Sequence, residues 1–188
     1  IIHDGQAAGI YLFDNGRGIL EANEIWGNAN AGIQISTGAN PTVHGNKIHH
    51  GKASGINVYE NGQGPIEANE IWGNALAGIQ IHTGANPTVR SNKIHDGKAG
   101  GIFVCDNGRG LIEANEIWGN AYSGIEIKTG AKPIVSNNTI TKNKQRGIYV
   151  HDKGGGTIEN NDLRGNEGGA WYVTDDSLPF LTRKNNQE

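Results

Sequence analysis

The sequence predicts an all-β protein, a right-handed parallel β-helix with three short strands in each 23-residue coil. Three observations lead there. The first is the repeat: a Gly-Ile step or its equivalent opens a unit at Gly9, Gly32, Gly55, Gly78, Gly101, Gly124 and Gly147, and Ala170-Trp171 opens a degenerate eighth. A fixed period near twenty residues means stacked supersecondary units, each contacting only its neighbours. The second is apolar alternation over very short stretches, the signature of strands rather than helices. The third is punctuation of those stretches by Gly, Asn and Pro, the residues of tight turns. Residues 1–188 are expected to form one domain, with a partial first coil over 1–8, regular coils over 9–169 and a degenerate final coil over 170–188.

Within a coil, the first strand places two aliphatic residues inward around an outward one, as in Ile33-Gln34-Ile35 and Ile79-Gln80-Ile81. A second strand follows the turn with one inward aliphatic: Leu20, Val43, Ile66, Val89, Ile112, Val135 and Ile158. The third strand holds Ile25, Ile48, Ile71, Ile94, Ile117 and Ile140, with Leu163 in the next coil. Asn23, Asn46, Asn69, Asn92, Asn115, Asn138 and Asn161 precede these residues by two positions. Stacked amides at such a bend bond from coil to coil and satisfy the backbone, so this ladder is architectural. The preference for right-handed crossovers between parallel strands sets the expected hand.

Bulk composition narrows the function classes. Only 35% of the residues are apolar and 30 are glycine, a balance that suits disorder in an irregular chain but here suffices to fill a narrow interior. The net charge of -3, with signs mixed along the chain, provides no basic stripe for nucleic acid. No apolar run is long enough to span a membrane as a helix. The single cysteine, Cys105, rules out an internal disulfide framework. The absence of methionine and a start inside a repeat are read as marks of a fragment of a longer chain.

Chemistry was sought coil by coil, and no catalytic residue, metal site or cofactor is predicted. Asp14, Glu60, Asp106 and Asp152 recur at one position of alternate coils, hence roughly 9.6 Å apart, too far for one calcium ion to bridge. They are expected to close the glycine turn through side-chain to backbone bonds. Cys105 and His82 occupy equivalent outward positions on adjacent coils but lack a third, orienting group.

Outward ladders carry the binding expectations. Glu24, Lys47, Glu70, Lys93 and Glu116 alternate in sign and are read as a register device, as are Glu21, His44, Glu67, Arg90 and Glu113. His3, Trp26, His49, Trp72, His95 and Trp118 form an outward strip roughly 25 Å long. Its rings could stack on a ligand or on one another. The first strand presents a variable face with Tyr11, Phe13, Tyr59, His82 and Phe103, followed by Tyr149 and His151, with Gln34, Gln80, Glu126 and Lys128 interspersed. Irregularity inside a regular repeat is where recognition would be written, although an exposed strand face also tolerates any residue.

Two motifs alternate in register: Asp-Asn-Gly-x-Gly leading to Glu-x-Asn-Glu-Ile, and Thr-Gly-x-x-Pro leading to Asn-Lys-Ile-His-x-Gly. With the stretches Gly73 to Ile81 and Asn92 to Gly97, they resemble the β-helix domain of F-box-only substrate receptors of cullin-RING ubiquitin ligases. The resemblance covers the chain up to Gly169. It implies a non-enzymatic scaffold that binds a protein segment, a ubiquitylation substrate, in an intracellular setting, with Trp26, Trp72, Trp118 and the first-strand aromatics as anchors. The sequence has no F-box segment, and one cysteine cannot build the terminal zinc domain of that family. More distantly the chain is similar to periplasmic copper-site maturation proteins and mannuronan epimerases, which implies the alternative of an extracytoplasmic glycan-binding or glycan-modifying protein. The Asp-Pro-His-Glu type motif of such epimerases is absent. A structural spacer is the third reading, and end-to-end self-association through uncapped coils is expected with any of them.

Overall fold

The computed structural model describes all residues, Ile1–Glu188. It is a coil of three parallel sheets. Sheet 1 has eight strands, from Ile10–Leu12 through Ile33–Ile35, Ile56–Val58, Ile79–Ile81, Ile102–Val104, Ile125–Ile127 and Ile148–Val150 to Trp171–Val173. Sheet 2 has eight, from Ile19–Glu21 to Leu181–Lys184. Sheet 3 has seven, from Ile2–His3 to Thr139–Thr141. Successive coils pair in register, Ile79 with Ile102 and Ile94 with Ile117. Coil 1 opens at Gly9 and coil 8 at Ala170, as the repeat predicts.

Each full coil contributes two inward aliphatics from sheet 1 and one each from sheets 2 and 3. Together with inward alanines these make a core of 28 buried residues running along the axis. Burying one isoleucine side chain is worth about 1.5–3 kcal/mol, so a few per coil offset the ordering of a glycine-rich chain. The opening glycine has a steric cause. A Cβ on Gly55 would sit 2.6 Å from Ile71 Cγ2 and 2.7 Å from the Gly78 carbonyl oxygen of the next coil, leaving no room for a side chain.

Corners rather than strands absorb the strain. The turn after sheet 1 holds two consecutive residues in the left-handed region, Asp14 and Asn15 at φ 50° and 59°, or Thr37 and Gly38 at 49° and 71°. Its closing bond is backbone to backbone, Gly16 N–H to Phe13 O at 2.9 Å and Gly62 N–H to Tyr59 O at 2.9 Å. This corrects the expectation for Asp14, Glu60, Asp106 and Asp152. None of their carboxylates accepts a backbone N–H, and that of Glu60 instead takes the Thr37 hydroxyl at 3.1 Å.

The Asn ladder runs as predicted and further. Asn69 donates its backbone N–H and Nδ2 to Asn92 Oδ1 at 2.9 and 3.0 Å, and Asn92 repeats the pattern on Asn115. Asn186, offset by 25 residues, continues it beneath Asn161. A second ladder stands at the corner between sheets 3 and 1, where sequence reading found none. Gly51 and Gly97 donate backbone N–H groups to Asn74 and Asn120 Oδ1 at 2.9 and 3.1 Å, and Asn120, Asn143 and Asn166 then stack directly.

The C-terminal end departs from the regular coil. Leu178–Phe180 forms a 3-10 turn, so Leu181 pairs with Gly156 and Arg183 falls opposite the inward Ile158. Trp171 occupies the inward position of Ile148, donates Nε1–H to Glu188 Oε1 at 2.6 Å and carries the Arg183 guanidinium 5.1 Å from its ring centroid. Trp171 thus packs on the end of the core, with the exposed Arg183 and Glu188 beside it. At the opposite end Ile2, Ile10, Leu12 and Leu20 are only partly buried against the core. At the C-terminal end Ala170, Trp171, Val173 and Leu181 are likewise only partly buried, so both ends keep apolar surface.

Candidate functional site

Two outer faces carry the residues singled out by sequence. On sheet 3 the Trp/His strip exists, and its rings lie on one another. His3 stacks on Trp26 at 4.3 Å and 1°, His49 on Trp72 at 4.2 Å and 20°, and His95 on Trp118 at 4.4 Å and 5°, with Trp72 to His95 at 6.0 Å. These contacts cover ring faces that a ligand would need. The Glu/Lys ladder beside the strip keeps the predicted strand register without forming ion pairs of its own. Glu24 and Glu70 instead lie 3.5 and 3.7 Å from the Nε2 atoms of His49 and His95. Burial, followed by the neighbouring His50, holds His49 below the usual imidazole range despite Glu24. On sheet 2 the alternation does close, Arg90 Nε meeting Glu67 Oε1 at 2.8 Å.

Sheet 1 is different in kind. Its N-terminal part presents Tyr11 and Phe13, 47% and 52% exposed, tilted 36° to one another. A hydroxyl chain anchors them. The Tyr59 hydroxyl donates to Tyr11 at 3.1 Å, and Tyr11 lies 3.0 Å from the buried Ser36 hydroxyl. Burial and the Tyr11 contact push the Tyr59 phenol up. His82 stacks on Tyr59 at 5.4 Å while its nitrogens meet Thr83 at 2.9 Å and Asn57 at 3.1 Å. With both nitrogens engaged, His82 has none left to serve as a base for Cys105.

Cys105 is inert for a second reason. It is 4% exposed, and burial together with the Asp106 carboxylate pushes its thiol up to about 12. Because the unfolded thiol ionises near ~8.5, the unfolded chain loses its proton first as pH rises. The Cys105 contribution to stability is therefore intact below about pH 8.5 and declines from there to about pH 12. Alkylation of the folded protein by iodoacetamide at pH 8 should be at least tenfold slower than after denaturation. Equal rates would refute the assigned burial.

The C-terminal part of sheet 1 gathers the most chemistry. His151 stacks on Tyr149 at 4.2 Å and 14°, its Nε2 3.0 Å from Glu126 Oε1 and its Nδ1 3.1 Å from Asp152 Oδ2. Burial and then the Glu126 charge push the Tyr149 phenol up. Tyr172, on the next coil, is tilted 59° to Tyr149 at 5.3 Å, and the Arg146 guanidinium lies 5.7 Å from its centroid. Arg146 Nη1 also donates to the Gly168 carbonyl. Between these groups lies a cleft of about 380 Å³ lined by Ser123, Lys144, Gln145, Arg146, Tyr149, Gly168 and Tyr172. It is lined by two cations, two phenol rings, an amide and a hydroxyl, and of the cations Lys144 is paired with the Glu167 carboxylate at 2.6 Å. A second hollow of about 250 Å³ lies between Leu76 and Tyr122, with Phe103 on its wall. Lys128 Nζ stands 5.7 Å from the Phe103 ring.

A family profile for the right-handed β-helix region matches residues 1–86 and again residues 61–186. The chain belongs to this family. The right-handed coil expected from crossover chirality is thereby supported, and the eight stacked turns fit it. No curated protein sequence matches the β-helix. Among solved structures it is similar to the periplasmic alginate epimerase AlgG, with a TM-score of 0.87 and 18% identity over 95% of this chain and 47% of that one. It is also similar to the A-modules of two Azotobacter vinelandii mannuronan C-5 epimerases. For AlgE6 the TM-score is 0.81 at 20% identity, covering 99% of this chain and 57% of that one. For AlgE4 it is 0.77 at 17% identity, covering 96% and 56%. The β-helix thus spans about half the length of these structures, and at such identities the likeness is one of fold.

Of the residues predicted from sequence, sheet 1 brings Tyr11, Phe13, Tyr59 and His82 together near one end and places Phe103 midway. Trp26, His49, Trp72, His95 and Trp118 lie on a separate sheet. Sequence reading missed Arg146, Tyr172, Tyr122 and Leu76. The last two share one corner position, 46 residues apart, just before the opening glycine. Across coils that corner runs Ala53, Leu76, Ala99, Tyr122, an alternation of small and large side chains that is the signal for them in the sequence.

Proposed function

We propose that the sheet 1 face binds a linear anionic glycan, with the cleft between Tyr149 and Tyr172 as its principal subsite. The observation that carries this reading is that cleft, where two phenol rings converge with the Arg146 guanidinium, while Lys144 at its edge is paired with Glu167 at 2.6 Å. Aromatic rings accept the apolar faces of sugars, and guanidinium and ammonium groups pair with carboxylates. The face is long and continuous, running from Tyr11 to Tyr172 over seven coil steps, roughly 34 Å, which suits a polymer better than a small molecule. The structural neighbours named for alginate and mannuronan epimerisation lend the same direction to the reading. Nothing in the geometry or the comparisons supports a captured protein segment or a ubiquitin-ligase role. The Trp/His strip is better explained as internal stacking.

Titration calorimetry of the full chain with polymannuronate, polygalacturonate and a neutral β-glucan tests this. Binding of at least one anionic polymer, weakened by salt as exposed charge pairs are, is expected. Failure of both anionic polymers to bind, or equal binding of the neutral glucan, would overturn the proposal.

A further inference from the structure

The hollow beside Phe103 has a chemistry of its own that the anionic cleft does not use. Leu76 and Tyr122 occupy the same corner two coils apart, and each is 51% exposed. The residue between them at that corner is Ala99, followed by Gly100. Two large side chains flanking a small one leave the hollow of about 250 Å³, floored by Ala99 and walled by the Phe103 ring. Its one charged lining group, Glu126, is already held 3.0 Å from His151 Nε2. Its amide, Gln80, accepts the Ser54 hydroxyl at 3.2 Å. The hollow therefore offers apolar surface and no free charge. The cleft two corners further along, at Gln145 and Arg146, offers the Arg146 guanidinium, which no carboxylate pairs.

We infer that the hollow is a subsite for a small apolar substituent, an O-acyl or C-methyl group, carried by the same glycan chain whose carboxylates meet the cleft. The inference rests on the glycan reading. Three observations favour this occupant. The two hollows are neighbours on one face, because Tyr122 lines one and Ser123 the other, and Glu126 pairs in register with Tyr149. Their separation of two coils, roughly 9.6 Å, is within the span of one extended ligand. The volume suits a group of a few heavy atoms on a sugar and leaves a charged group without a partner.

The test uses polygalacturonate in two forms, fully deacetylated and chemically O-acetylated, titrated into the full chain. The acetylated form should bind about fourfold more tightly for each methyl group buried. Ala99→Leu fills the hollow with a residue this corner already carries at Leu76, and thermal melting checks that it folds. That variant should lose the preference while keeping its affinity for the deacetylated form. Equal affinity of the wild-type protein for both forms would sink the subsite and leave the glycan reading standing. A preference that survives Ala99→Leu would also sink it. If neither form binds although other anionic polymers do, or none binds at all, the subsite fails, and only the latter result removes the glycan reading as well.

Discussion

Asn92→Ala should cost about 3–6 kcal/mol of stability, the largest single effect expected in the molecule outside the core. The side chain of Asn92 accepts the backbone N–H and Nδ2 of Asn69 and donates to the carbonyls of Ile66 and Arg90 at 2.8 and 3.0 Å and to Asn115 Oδ1 at 3.0 Å. Alanine makes none of these bonds, and the interior admits no replacement partner at a site 1% exposed. Each buried polar group left unmet costs about 1–3 kcal/mol, and two or more are stranded here. Asn23 opens the same ladder and is half-buried, so Asn23→Ala should cost much less. Urea denaturation followed by hydrogen exchange distinguishes the two. In Asn92→Ala, protection should fall first in the adjoining coils, since solenoid stability is a sum of neighbouring units. Equal losses in the two variants would refute the ladder as a buried, cumulative device.

Tyr172→Ala should weaken binding of an anionic polysaccharide by about thirtyfold, whereas Trp72→Ala should change it less than threefold. The two residues are both large aromatics on outer strands, so the comparison separates the two faces. Tyr172 is 50% exposed and walls the cleft beside Arg146. Trp72 has His49 stacked on one side and His95 on the other. Losing the indole should instead lower the melting temperature, because stacked cross-strand aromatics stabilise sheets. Fluorescence or calorimetric titration reads the first effect and thermal denaturation the second. A thirtyfold loss in Trp72→Ala with Tyr172→Ala unaffected would move the site to sheet 3.

The fold was legible because its constraints are periodic. Inward isoleucines, Gly55 and its equivalents, and the first Asn ladder recur in every coil, and each recurrence tests the assignment again. The second ladder is hidden because three of its eight rungs, Gly5, Gly51 and Gly97, are glycines. Gly51 contributes a backbone N–H where Asn74 contributes a side chain, and letters alone do not show that these are equivalent. The final coil is degenerate, as expected, and the 3-10 turn at Leu178–Phe180 shifts its phase by two residues, so that Arg183 pairs with Ile158. The site was least legible. Arg146 and Tyr149 stand three residues apart, and Tyr172 joins them only because the next coil stacks on theirs. Their roles depend on neighbours 23 residues away rather than on any local motif.

The alternation of coils makes the molecule divisible only in pairs. Excision of one coil, residues 55–77, would set Lys47 beside Lys93 and His49 beside His95, and would leave the Gly51 N–H facing Gly97 with no amide to accept it. Excision of two, residues 55–100, would seat Lys47 on Glu116, His49 on Trp118 and Gly51 on Asn120, every contact of the kind the intact chain makes. The packing unit of these coils is the 46-residue pair. Lengthening or shortening the molecule by whole pairs would leave its packing rules untouched while adding or removing stretches of the variable sheet 1 face.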